Sequence, residues 1–194
     1  MDCEVSSNEE KKLMIISCIK EILTIFTGPF LAAYFYKISS DYIAKIALFY
    51  LITYIAHAVT NYFIYIFSNN KSRIKILRVG ILFNCIYILT LIVLKEKIID
   101  YLFFVAIISG ISSAVYWNSF NLFLVHKAND KSRFLINNQI ILSILNVLIP
   151  IVLASFITLT SYIITGFIIF ILVLIQLIFS FKIKIDKKNS SQKK

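Results

Sequence analysis

The chemistry in this sequence is concentrated in ionisable and amide side chains set inside long apolar runs. Glu21 follows Lys20 in a run that opens near residue 13, so a helix there places the carboxyl roughly 12 Å deep at about 1.5 Å per residue. An ionised group in hydrocarbon costs roughly 2.5 to 3.5 kcal/mol. A carboxylate kept at that depth would bind a proton or a cation from a cavity. The alternative starts the span near residue 22 and lays 13–19 on the membrane surface. Lys20 points about 100° away from Glu21 and has a stem long enough to reach back to the inner surface.

Further polar residues recur at helical spacing. Thr53, His57 and Asn61 repeat every fourth position, and Gly110, Ser113, Trp117 and Asn121 follow i, i+3, i+7, i+11. Each set forms one face of a helix. Such a face either lines a solute path or makes hydrogen bonds to a neighbouring helix, worth about 0.6 kcal/mol per pair in a membrane. Gln139, Ser143, Asn146 and Pro150 repeat the pattern, and Pro150 frees a backbone carbonyl and predicts a kink. The expected substrate pathway is Glu21, His57, Asn61, Trp117 and Asn121, with Pro150 at a gating kink. The perturbations expected to show it are Glu21→Gln and Asn121→Ala, each reducing flux without lowering expression.

Enzyme signatures are poor. The chain has no HExxH, no GxSxG and no carboxylate pair. His57 to Asn61 and Gly110 to Ser113 superficially resemble the HxxxN and GxSG elements of rhomboid intramembrane proteases, but no histidine follows residue 126 to act as base. Cys3, Cys18 and Cys85 show neither paired nor metal-ligand spacing. Neither an enzyme nor a cofactor or metal is expected.

The elements that must carry these residues follow from composition. Hydrophobic residues make up 59% of the 194 and charged ones 15%, with a mean hydropathy of +0.85. The apolar residues come in runs of about twenty, the length a helix needs to cross about 30 Å of hydrocarbon. Backbone groups there must pair within the segment, which makes each run a helix. Six spans are predicted: 13–36, 42–67, 76–94, 98–125, 135–159 and 161–181. Residues 1–12 read as an N-terminal tail, 13–181 as the bundle and 182–194 as a basic, disordered tail. Acidic residues precede the first basic pair and no small-residue cleavage site follows the first run, so no signal peptide is expected.

Charge sets the expected orientation. Fifteen Lys and Arg residues fall in the termini and alternate loops, including Lys71, Arg73, Arg78, Lys131 and Arg133, while only four fall on the other side. Cytoplasmic loops carry that excess, so both termini are expected inside a plasma membrane. The net charge of +10 is then spent against anionic headgroups, and no nucleic-acid partner is expected. Heavy use of Ile, Lys and Asn suits an AT-rich bacterial genome.

Three stretches carry a resemblance: residues 37–41 (KISSD), the basic turn 70–80 (NKSRIKILRVG) and residues 110–121 (GISSAVYWNSFN), followed by 129–133 (NDKSR) and a fifth span ending near Pro150. From Thr24 to about Ile157 the chain resembles the N-terminal half of a bacterial major facilitator superfamily transporter. The resemblance implies an all-α polytopic membrane protein with six transmembrane helices arranged as two inverted three-helix repeats, spans one and four bordering a central cavity. The turn between spans two and three keeps basic charge but lacks that superfamily's glycine and aspartate. Such transporters have twelve spans. Six imply a second half from a homodimer, a separately encoded partner or further sequence, or else a truncated remnant.

The expected function is therefore a half-size transporter of a small, unspecified solute. Two alternatives stand beside it: a stand-alone substrate-binding subunit of the energy-coupling-factor type, and a non-transporting regulatory or immunity protein of the membrane.

Overall fold

The computed structural model describes residues 2–67, 73–127 and 131–183. Among them run seven α-helices: α1 (Asp2–Thr27), α2 (Pro29–Ile38), α3 (Tyr42–Phe67), α4 (Arg73–Leu94), α5 (Leu102–Lys127), α6 (Lys131–Leu159) and α7 (Tyr162–Phe181). A short 3₁₀ turn, Lys95–Ile99, links α4 to α5, and no strand occurs among the described residues. Six candidate membrane spans result, the first joining α1 to α2 over Glu10–Ile38.

That first span departs from the uninterrupted helix expected over 13–36. Proline has no N–H to donate and disfavours helical geometry in the residue before it. Gly28 accordingly sits at φ −92°, ψ −100° between the two helices. The break is held on both sides. Tyr162 of α7 stacks its ring on Phe26 at 4.5 Å and on Tyr34 at 4.4 Å, one from each helix, and Tyr50 of α3 donates its hydroxyl to the Gly28 carbonyl at 3.1 Å. Pro150, by contrast, lies inside an α6 that continues to Leu159. α1 begins at Asp2, ahead of the candidate span that opens at Glu10.

Packing follows one order. α3 lies on α5, α5 on α4, α4 on α7, α7 on α1 and α1 on α6, with α2 also touching α3. The core is built of Ile16, Leu23 and Phe26 from α1, Leu77, Ile81 and Ile88 from α4, Tyr116 and Phe120 from α5, and Val173 from α7. Leu13, Ile16 and Ser17 are buried, so 13–19 packs inside the bundle and does not lie on a surface. The outer helices α3 and α6 turn residues such as Ile55, Val59, Val147 and Ile151 outward. Apolar surface on that scale suits a membrane or a protein partner.

Two glycines set the closest approaches. A Cβ at Gly80 would stand 2.8 Å from the Tyr116 backbone nitrogen, and one at Gly110 would stand 2.7 Å from the Ala56 Cβ and run into the Thr53 carbonyl. Only hydrogen lets α4 and α3 close onto α5 there. At the end of the bundle bearing both termini, Arg78 gives Nε and Nη2 to the Ser180 carbonyl, each at 3.3 Å, with its guanidinium 4.6 Å from the Phe181 ring centre. Lys12 caps the Lys182 carbonyl at 3.1 Å. Of the other basic residues singled out, Arg73 and Arg133 fall in the first turns of α4 and α6, Lys131 opens α6, and Lys71 lies outside the described residues.

Candidate functional site

A cavity of about 270 Å³ opens between α1, α3 and α5, with Tyr87 of α4 also on its wall. The close approach at Gly110 brings the α5 wall against α3, where Thr53 donates to the Ala106 carbonyl at 3.3 Å. The broken span contributes the α1 wall: Thr24, Thr27 and Gly28 line the cavity at and just before the break. Ser109, Ser112 and Trp117 face it from α5, and Tyr54 and His57 from α3. Hydroxyls and aromatic rings dominate.

The one cation on that wall is Lys20, only 6% exposed. Its ammonium does not travel to the membrane surface as its stem length allowed. It donates to Asn84 Oδ1 at 2.9 Å and sits 5.2 Å from the centre of the Tyr116 ring. Ser112 donates to the same Asn84 oxygen at 2.5 Å, which commits its hydroxyl and gives it no basic partner. Asn84 Nδ2 is buried without a hydrogen bond. Tyr116 in turn donates to the Ile16 carbonyl at 3.3 Å, which also accepts from Gln176 Nε2 at 2.7 Å. Lys20 is thus fixed by α4, α5 and, through Tyr116 and Gln176, α7.

Of the expected pathway, His57 and Trp117 line this cavity. The other three lie elsewhere. Glu21 accepts from Asn146 Nδ2 of α6 at 2.8 Å, turned from the cavity by the 100° that separates neighbours on a helix. Asn61 accepts from Asn118 Nδ2 at 2.5 Å and ties α3 to α5. Asn121 is exposed one turn beyond Trp117. Asn84, the lone amide of the third span, was not singled out by its sequence position, because its run shows no polar periodicity. The signal is that it is the one amide in its apolar run.

A second cavity, about 570 Å³, lies at the opposite end among Tyr34, Lys37, Glu96 and Ser161. Both of its charged residues are exposed, so water screens them. Among the described residues no group of three or more His, Cys, Asp or Glu side chains gathers to hold a metal. Compared with protein-family models, with curated proteins and with solved structures, the chain matches none.

Proposed function

We propose that this chain is one six-helix half of a secondary transporter, embedded in a bacterial plasma membrane with both termini inside, which moves a small solute through the α1/α3/α5 cavity. The observation that carries the reading is the hydroxyl- and aromatic-lined cavity at an interrupted span, with a charged group fixed on its wall. Discontinuous helices and intramembrane charges are the means by which transporters build solute sites. A protein whose task is only to contact another membrane protein has no need of either.

The order of helix packing supports the inverted-repeat arrangement of the major facilitator superfamily. Exchanging spans one with four, two with five and three with six reverses the series α3, α5, α4, α7, α1, α6 into itself. In that arrangement spans one and four border the path, and Lys20, Trp117 and the Gly28 break all belong to those two spans. A second copy of the chain would close the open side of the cavity, and rocking of the two halves would alternate access.

The test is flux without prior choice of solute. The full chain is reconstituted into vesicles loaded with the small-molecule fraction of a bacterial extract, and loss of each solute is followed by mass spectrometry against protein-free vesicles. At least one solute should leave faster with the chain present, and Trp117→Ala should abolish the difference. Equal losses from both vesicle sets would refute a homodimeric transporter.

A further inference from the structure

We infer that the cavity receives a small organic carboxylate whose anionic end pairs with Lys20. The inference rests on the solute-handling reading above and adds the class of solute. An ammonium carries three N–H donors; the Lys20 ammonium uses one on Asn84 and lays its charge near one aromatic face. No carboxylate pairs with it among the described residues. Glu21, the adjacent acid, bonds to Asn146 on the α6 side, and the facing titratable groups of the cavity, His57, Tyr50, Tyr54 and Tyr87, contribute no acid of carboxylate strength. A buried charge without a contacting counter-ion is strongly unfavourable, and Glu21 attracts this one only through space. The chain holds the Lys20 nitrogen in place, because Asn84 accepts from both Lys20 and Ser112 and so keeps its oxygen toward it.

The wall around it suits the rest of such a molecule. The rings of Phe49, Tyr50 and Trp117 offer flat apolar surface for a carbon body and Ser113 offers a hydroxyl, while Thr24 and Thr53 donate to the Lys20 and Ala106 carbonyls and present only oxygen lone pairs. The cavity of about 270 Å³ lies just below the usual range for ligand pockets, which favours a molecule of few heavy atoms. Lys20 is ten residues into the Glu10–Ile38 span, about 15 Å along it, so an anion there meets the ammonium away from bulk water.

The single Trp of the chain lines this cavity, so its fluorescence reads occupancy directly. The purified full chain in detergent is titrated with benzoate, benzamide and benzamidinium, three planar molecules of nearly one shape carrying charges of −1, 0 and +1. Benzoate should quench Trp117 saturably and at least about tenfold more tightly than the other two, the ratio that a hydrogen bond to a charged group supports. Lys20→Gln should remove that preference and Lys20→Arg should keep it. The charge series on the unaltered protein stands even if a Lys20 variant does not fold. Equal response to all three probes, no response to benzoate, or full benzoate selectivity in Lys20→Gln overturns the inference. Quenching by dioctanoyl phosphatidylglycerol but not by benzoate also overturns it, by placing a lipid headgroup there. Lys20-dependent benzoate binding without flux in the vesicle experiment removes the transport reading and leaves the site. Flux without charge selectivity does the reverse.

Discussion

Replacing Gly110 with alanine tests how tightly the cavity's walls are drawn together. The added Cβ would lie 2.7 Å from the Ala56 Cβ and 3.0 Å from the His57 backbone nitrogen, and would run into the Thr53 carbonyl. Carbon atoms rest about 3.5 to 4.0 Å apart, and the obstacles are mostly backbone, so α3 and α5 must separate by about 1 Å. Overpacking of this kind costs about 1 to 3 kcal/mol. Separation also weakens the Thr53–Ala106 and Asn61–Asn118 bonds that cross the same interface, at about 0.6 kcal/mol each. Gly166→Ala is the matched control. Its Cβ would meet the Ile92 side chain at 3.3 Å and the Phe26 ring at 3.6 Å, contacts that small side-chain shifts relieve. Both variants gain the same helix propensity, which cancels in the comparison. Gly110→Ala should therefore be less stable than Gly166→Ala by about 2 to 4 kcal/mol, a difference in Tm of roughly 4 to 16 °C by the scaling for chains of this size. Unfolding in detergent, followed by Trp117 fluorescence at one heating rate, reads it. Equal melting temperatures would refute the argument that Gly110 sets the α3–α5 distance.

Other perturbations separate structural from functional roles. Tyr162 has a buried hydroxyl without a hydrogen bond and a ring stacked on both sides of the break. Tyr162→Phe should be as stable as the parent or gain about 1 kcal/mol, whereas Tyr162→Ala should lose about 3 to 5 kcal/mol, both read as melting temperature. Tyr50→Phe removes the donor to Gly28 and should cost about 0.5 to 1.5 kcal/mol and slow flux, because the break on the cavity wall loses its tether. Glu21→Gln keeps an acceptor for Asn146 and lies outside the cavity; in the vesicle assay it should reduce flux far less than Lys20→Gln, and an equal loss would return Glu21 to the path. Arg78→Lys gives up the two-pronged contact with Ser180 and should cost about 1 kcal/mol in unfolding measurements, with flux unchanged at temperatures well below melting.

Span number and helical type were legible because hydrophobic run length sets them, and the runs over 42–67 and 135–159 end within a few residues of α3 and α6. The break at Gly28 was written in the dipeptide Gly28-Pro29, yet the apolar run continues across it, and hydropathy averages over a backbone irregularity. Single helical faces were readable in part: Thr53 and His57 of the i, i+4 series and Ser113 and Trp117 of the α5 series line one cavity, whereas Asn61, Gly110 and Asn121 do not. The partners across helices were not readable. Whether Lys20 reaches for the surface or Glu21 faces a cavity depends on Asn84, sixty-four positions away from Lys20, and on Asn146, one hundred and twenty-five from Glu21. No local pattern encodes such distances. Depth along one helix points to Glu21; packing among four helices puts Lys20, not Glu21, on the cavity wall.

Solute passage by way of the α1/α3/α5 cavity requires water to reach the cavity wall beside Lys20 within the membrane, and thiol accessibility tests that most directly. In a chain with Cys3, Cys18 and Cys85 replaced, Thr24→Cys on the cavity wall and Ile55→Cys on the outward face of α3 are treated in sealed vesicles with a membrane-impermeant maleimide. Thr24→Cys should be labelled and Ile55→Cys should not, although detergent unfolding exposes both. A folded Thr24→Cys chain that stays unlabelled, or one labelled no faster than Ile55→Cys, would contradict it.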